Sequence, residues 1–125
     1  MVCLAKLLAN TPKMNAAGHR NALDELRRAR AKLDPIADIR AYAELTHGMA
    51  IHAVAVGAWK RHGVDQDNHQ GIPRWLRQHG YEVEATAFGT IASIRTGHWY
   101  GRQGNGDAAH ELDTLLAQLE AWSVV

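Results

Sequence analysis

The stretch from residue 35 to residue 62 constrains the fold of this chain more than any other. Apolar residues recur in it at spacings of three and four, which is the period of an α-helix. They form a stripe of large side chains and a stripe of mostly small ones: Tyr42, Leu45, Met49, His52, Val56 and Trp59; Ile39, Ala43, Thr46, Ala50, Ala53 and Gly57. A helix that is apolar on most of its circumference must be surrounded by other elements. We therefore predict a central helix whose small stripe lets a neighbouring backbone come close.

The flanking segments also have helical periodicity, and none alternates with the period of two that marks a strand. Thr11-Pro12 and Asp34-Pro35 are helix-start signals, while Gly63 and Gly80 suit helix ends. Asp107 is predicted to cap the last helix. The other predicted apolar faces are Leu23, Leu26, Ala29 and Leu33; Val83, Ala87, Ile91 and Ile94, in a helix over 81 to 100; and Leu112, Leu115, Leu116, Leu119 and Trp122. Together they predict an all-α fold, an up-and-down four-helix bundle with one or two additional short helices.

The length of 125 residues fits one domain, residues 1–125, with residues 1–11 as a short N-terminal helix or extension. The hydrophobic fraction of 46% and the net charge of +1 are ordinary for a soluble globular protein. No apolar run approaches the ~18 residues of a membrane span, and the first residues are too short and weakly apolar for a secretory signal. A single cysteine excludes an internal disulfide. These features predict a cytoplasmic protein with no membrane partner.

Positive charge is concentrated near the start of the chain. Residues 1–40 hold eight Lys and Arg against four Asp and Glu, and residues 41–125 hold six against nine. Much of the excess lies in "RRARAK", residues 27–32. This run is interpreted either as a solvated helix face or as a basic patch that contacts phosphate.

Eight histidines are many for this length, but their spacing does not predict a metal site. No two of them lie four residues apart on one helix beside a carboxylate, as a zinc site would require. We therefore predict no metal and no cofactor, although ligands can also be assembled from distant parts of a chain. His52 lies in the apolar stripe and is predicted to be a core histidine bonded to a backbone group or a side chain.

The stretch "IASIRTGHWYGRQGNGD", residues 91–107, contains the main candidate site. On a helix, Ile91, Arg95, Trp99 and Arg102 share one face, so the Arg95 guanidinium is partly removed from water. It then needs a carboxylate, backbone carbonyls or a ligand phosphate. One interpretation is that Arg95 reaches the surface and pairs with an acid. The other is a phosphate site, in which Arg95 and Arg102 bind phosphate and His98 acts as a base.

The chain resembles the HEPN superfamily (higher eukaryotes and prokaryotes nucleotide-binding domain), and most of all its small bacterial members that partner minimal nucleotidyltransferases. "RAYAELTH" (40–47) is similar to a run on the second helix of the family, with Arg40, Tyr42 and His47 in place. "SIRTGHWYG" (93–101) resembles the helix end on which the superfamily carries its Arg-x4–6-His motif. Further similarity lies in "NHQGIPRWL" (68–76) and "ELDTLLAQLE" (111–120), so that the resemblance covers roughly residues 20 to 120.

The resemblance implies a bundle that dimerises, and in active members a cleft between two subunits that cuts RNA without metal. Arg95 takes the place of the motif arginine. The histidine of the motif has no counterpart at the expected spacing. Tyr100 stands where the histidine is expected. His98 is too close to Arg95, and His110 is too far from Arg102. This departure from the motif puts nuclease activity in doubt.

Two functions follow from this interpretation. In the first, the chain is an RNA- or nucleotide-binding homodimer of a bacterial toxin–antitoxin or defence-type system, with weak or absent metal-independent RNase activity. Arg95, His98 and Tyr100 are its catalytic candidates, and Arg102, His47 and Trp99 are its binding candidates. In the second, the chain is a non-catalytic module that binds a protein such as a minimal nucleotidyltransferase.

Overall fold

A computed structural model describes residues 15–66, 70–97 and 104–124. Within these ranges the chain forms five α-helices and no strand, which confirms the all-α prediction. The helices are α1 (Ala16–Ala31), α2 (Ile39–His62), α3 (Ile72–Gln78), α4 (Glu82–Arg95) and α5 (Asn105–Val124). None of them is long and apolar enough to cross a membrane. The predicted extension over residues 1–11 and the start signal at Thr11-Pro12 lie outside the described residues.

Helix α2 is the central element, as its two stripes predicted. It packs against α1, α4 and α5. Met49, Ala50, Ala53 and Val54 are completely buried in it. Burial of apolar surface stabilises a fold by about 25 cal/mol per Å², so these residues contribute to the hydrophobic stabilisation of the core.

The ends of α2 depend on two local signals. At the N-terminal side, the Asp34 carboxylate accepts hydrogen bonds from the backbone N–H groups of Ile36 (2.9 Å) and Ala37 (3.0 Å), which hold the pKa of Asp34 below its usual value. Residues 35–38 therefore form a turn, and the helix begins at Ile39 rather than at residue 35. At the other end Gly63 takes the left-handed conformation, with φ of 65°, as predicted.

Two expectations about α4 and one about α5 are wrong. The helix ends at Arg95 instead of residue 100, because Gly97 turns the chain with φ of 83°. Val83 is 63% exposed, since it lies at the rim of a surface groove between α4 and α5. Asp107 is not the cap of the last helix, because α5 already begins at Asn105 and Asp107 lies within its first turn.

The small stripe of α2 admits a large side chain from α5. A Cβ atom at Gly57 would overlap the Trp122 ring, lying 2.7 Å from Cη2 and 2.8 Å from Cε3. Trp122 in turn contacts Tyr81, whose ring centroid is 5.1 Å away, and lies under the guanidinium of Arg61 at 5.0 Å. The close approach at Gly57 is therefore made by an aromatic ring, where a neighbouring backbone was predicted.

Two arginines of the basic run are paired with acids of α5. Arg30 donates to Asp113 (3.1 Å) and to the hydroxyl of Thr46 (2.9 Å), and Arg27 forms an ion pair with Glu120 (3.0 Å). These bonds tie α1 to α2 and α5. They favour the interpretation of "RRARAK" as a structural, solvated helix face.

Replacing Gly57 with alanine tests the contact with Trp122. We expect Gly57→Ala to lower the free energy of unfolding by about 2 kcal/mol, because overpacking costs more than the gain in helix propensity. Gly89 is the matched control, since it also lies within a helix and a Cβ there meets nothing within 4 Å. Gly89→Ala should raise stability by about 0.5–1 kcal/mol. Urea unfolding measures both, and equal effects would contradict the account.

Candidate functional site

A polar surface cleft of about 410 Å³ lies between α2 and the end of α4. Its lining residues are Arg40, Glu44, Arg95 and Thr96. Arg40 and Glu44 lie one turn apart on α2, while Arg95 is the last residue of α4 and Thr96 its C-cap. Packing of α4 on α2 therefore joins two segments that are about fifty residues apart in the chain.

Arg95 is held in this cleft by one edge of its guanidinium group. Its Nε–H donates to both carboxylate oxygens of Glu44, at 3.1 and 3.0 Å. The side chain is 34% exposed, and that of Glu44 is 61% exposed. The interpretation in which Arg95 reaches the surface and pairs with an acid is thus correct, and the pair lines a cleft.

This ion pair orients Arg95 more than it stabilises the fold. Exposed pairs contribute about 0.2–1 kcal/mol in water, because solvent screens the charges. Within the described residues, the four N–H groups on Nη1 and Nη2 of Arg95 make no hydrogen bond. The terminal edge of a guanidinium is the one that binds phosphate and carboxylate oxygens in pairs.

His47 is buried and is not among the residues that line the cleft. It is on the same side of α2 as Arg40 and Glu44, but it is only 5% exposed. Its ring packs against Phe88, with centroids 5.5 Å apart. A ligand on the surface would therefore meet Arg40 and Arg95 before it met His47.

Tyr42, the third residue of the "RAYAELTH" resemblance, points away from the cleft. Its hydroxyl donates to Asp113 on α5, and the guanidinium of Arg30 lies 4.5 Å from its ring centroid. Burial and the hydrogen bond to Asp113 raise the pKa of Tyr42 to about 12. Tyr42 therefore serves the contact between α2 and α5.

Four of the predicted site residues, His98, Trp99, Tyr100 and Arg102, lie outside the described residues, so their roles remain predictions. The structure adds Glu44, which sequence reasoning did not single out. Its one sequence signal is its place one turn after Arg40 and one turn before His47. Within the described ranges, no group of three or more His, Cys, Asp or Glu side chains could hold a metal ion.

No protein-family model, no curated protein and no solved structure matches this chain.

Titration of Tyr42 tests its contact with Asp113. A raised pKa means that the folded state favours the neutral phenol of Tyr42. The stability that this preference contributes is complete below about pH 10 and is lost as the pH rises towards 12. Tyr42→Phe should lower stability by about 1 kcal/mol at pH 8, through loss of the hydrogen bond, and the difference from wild type should shrink by pH 11.5. Urea unfolding at both pH values measures this.

Tyr81→Phe is the control, because the Tyr81 hydroxyl bonds His62 at 2.9 Å instead of a carboxylate. The late-titrating tyrosinate absorbance of Tyr42 should be present in the wild type and in Tyr81→Phe, and it should be lost in Tyr42→Phe. A late group that survives in Tyr42→Phe would show that another tyrosine carries the raised pKa.

Proposed function

We propose that this chain is a HEPN-like protein that binds RNA or nucleotide phosphate in the cleft formed by Arg40, Glu44, Arg95 and Thr96. One observation carries the proposal: Glu44 bonds only the Nε–H of Arg95, which leaves the terminal edge of the guanidinium without a partner in the described residues. Two arginines and one glutamate give the cleft a net positive charge. A phosphodiester supplies the opposite charge and a pair of oxygens at the spacing of the guanidinium fork.

In this proposal Glu44 is a positioning residue for Arg95. A free arginine side chain loses rotamer entropy when it binds a phosphate, and that loss reduces affinity. A bond to Nε fixes the plane of the guanidinium before the ligand arrives. Arg40 adds positive charge from the neighbouring turn of α2. On the basis of the sequence, we propose that Arg102 binds the same ligand.

The catalytic part of the proposal follows the resemblance. RNA cleavage needs a base for the 2′-hydroxyl and a cation that stabilises the phosphate in the transition state. Arg95 is suited to the second task, and His98 and Tyr100 are the candidates for the first. Because the motif is degenerate, we propose weak or absent metal-independent RNase activity.

The proposed architecture is an up-and-down four-helix bundle made of α1, α2, α4 and α5, with α3 as the additional short helix. Direct packing of α2 on α1, α4 and α5, and of α4 on α5, supports it. We further propose that two copies form a homodimer in the cytoplasm, within a bacterial toxin–antitoxin or defence-type system.

A second function is favoured by a different surface. The groove between α4 and α5 has a volume of about 320 Å³, and the exposed Val83 and the half-buried Leu115 lie in it beside Glu82, Thr86, Ala87 and Gln118. An apolar groove with a polar rim is typical of a protein contact. In this alternative the chain is a non-catalytic module that binds a protein such as a minimal nucleotidyltransferase.

Binding of single-stranded RNA tests the first function. Arg95→Ala should weaken binding of a fluorescent oligonucleotide about 10- to 100-fold, because charge-assisted hydrogen bonds to phosphate are lost. Arg95→Lys should recover part of the affinity, since it restores the charge without the fork. Arg77→Ala is the control: Arg77 lies on α3, is about half exposed, and also pairs with a glutamate, Glu82. Equal affinities of Arg95→Ala, Arg77→Ala and wild type would refute the site.

Incubation of the same variants with an RNA pool in EDTA separates the two functions. Cleavage that is lost in Arg95→Ala and in His98→Ala would establish a metal-independent RNase. RNA binding without cleavage would establish a binding protein with an inactive motif. If the wild type neither binds nor cuts RNA, while Val83→Glu abolishes binding of a minimal nucleotidyltransferase, the second function is correct.

A further inference from the structure

A groove of about 400 Å³ lies between α1 and the second half of α5, and we refer to it as the α1–α5 groove. Both helices pack on α2. The described residues that line the groove come from both helices: Leu23 and Arg27; Ala117, Glu120, Ala121, Ser123 and Val124. The α1–α5 groove is separate from the groove between α4 and α5, since the two share no described lining residue.

The α5 wall of the α1–α5 groove carries an apolar stripe. Ala117, Ala121 and Val124 follow one another at i, i+4 and i+7, so they lie on one face of the helix. All three are exposed, and the exposed fraction of Val124 is 67%. The opposite wall contributes the apolar side chain of Leu23. An apolar stripe that faces an apolar wall is typical of a surface that another element covers.

The charged lining residues favour an apolar occupant. Arg27 and Glu120 form an ion pair with each other, with 3.0 Å between Nη2 and Oε1. A charged ligand would compete with this pair for one of its members. An apolar segment would instead meet two charges that already compensate each other, so it would bury no unpaired charge.

Residues 1–10 have the pattern that such a groove requires. On a helix, Leu4, Leu7 and Leu8 share one face, and Lys6 lies on the opposite side. A helix of ten residues is about 15 Å long, whereas Ala117 and Val124 are separated by about 10 Å along α5. The leucine face is therefore long enough to cover the stripe.

The chain also connects these residues to the correct end of the groove. Arg30 pairs with Asp113, and Arg27 pairs with the later residue Glu120, so α1 and α5 run in opposite directions. The beginning of α1 thus lies towards the end of α5. Residues 11–14 can span up to about 13 Å before the N-cap, Asn15, which is enough for the chain to reverse.

This short connection favours the chain's own segment over any other occupant. A helix of ten residues is marginal by itself in water, so it needs a surface on which to bury its apolar face. A segment joined by a short linker has an effective concentration in the millimolar range, by order of magnitude about 1 mM. A separate protein or a second copy would need a similar concentration to compete.

We propose that residues 1–10 form an amphipathic helix that docks in the α1–α5 groove, antiparallel to α1. Its three leucines pack against Leu23 and the apolar stripe of α5, and Lys6 remains in water. The docked segment adds a further helix to this side of the bundle. The proposal is independent of the phosphate cleft and of the function proposed for it.

The single cysteine permits a direct test on the intact chain. On the predicted helix Cys3 lies beside the leucine face and not on it, so a nitroxide attached to Cys3 leaves the contact intact. In ¹⁵N-labelled protein we expect the nitroxide to remove the amide signals of Ala117 and Ala121. Reduction of the nitroxide should restore them. Val83, in the groove between α4 and α5, should lose less of its signal.

Matched aspartate substitutions show whether the leucine face causes the effect. Leu7→Asp should restore the signals of Ala117 and Ala121 in the spin-labelled protein, because a charge cannot be buried in the groove without a partner. Ala9→Asp is the control, since it places the same residue on the opposite side of the helix, and the signals should remain lost.

A second pair of variants changes the groove instead of the segment. Ala121→Asp should restore the signal of Ala117. Gln118→Asp is its control, because Gln118 is exposed on the same helix but lines the other groove, and the signal of Ala117 should remain lost. This pair keeps the test decisive if Leu7→Asp does not fold.

A mixed sample separates the chain's own segment from that of a second copy. It combines spin-labelled chains without ¹⁵N and ¹⁵N-labelled Cys3→Ser chains without a nitroxide. The signals of Ala117 and Ala121 should persist in this sample. Their loss would mean that the segment of one copy occupies the groove of another, which would overturn the proposal.

Three further results would overturn it. The first is a spin-labelled wild type in which Ala117 and Ala121 keep their signals. The second is the same loss of signal in the wild type, in Leu7→Asp and in Ala121→Asp. The third is a greater loss at Val83 than at Ala121, which would place the segment in the groove between α4 and α5.

Discussion

Burial of α2 on nearly every side is the constraint on which the rest of this structure depends. A helix with completely buried residues on several faces cannot place ionisable groups at its centre without large cost. Its polar side chains therefore interact with neighbouring helices. Glu44 bonds Arg95 near the beginning, where Arg40 lines the same cleft, and His52 meets His19 near the middle.

The contacts around α2 combine small residues with large partners. Gly57 gives Trp122 a place against the helix backbone, and Tyr42 and Thr46 join a network with Arg30 and Asp113. The network neutralises part of the basic run on α1. The concentration of positive charge in the sequence thus becomes a set of bonds between helices, and the positive charge of the cleft comes from Arg40 and Arg95.

Local signals allowed much of the fold to be predicted. The two stripes of α2 and the glycine at its end are properties of neighbouring residues, and the structure confirms them. The pairs Glu44–Arg95 and His19–His52 join residues 51 and 33 positions apart, and no periodic pattern encodes such pairs. Val83 fits the helical pattern and is exposed all the same, because periodicity identifies a face without showing how far a neighbouring helix covers it. The HEPN resemblance remains a prediction.

In the proposed function, Glu44 fixes Arg95 by Nε and thereby presents the terminal guanidinium edge to phosphate. The most direct test follows the side-chain resonances of ¹⁵N-labelled arginine while a short single-stranded RNA is added. We expect the Nε–H signal of Arg95 to keep its position and its slow exchange, while the Nη signals shift. A displaced Nε–H signal, which would mean that RNA breaks the pair with Glu44, or an Arg95 that does not respond to RNA, would contradict it.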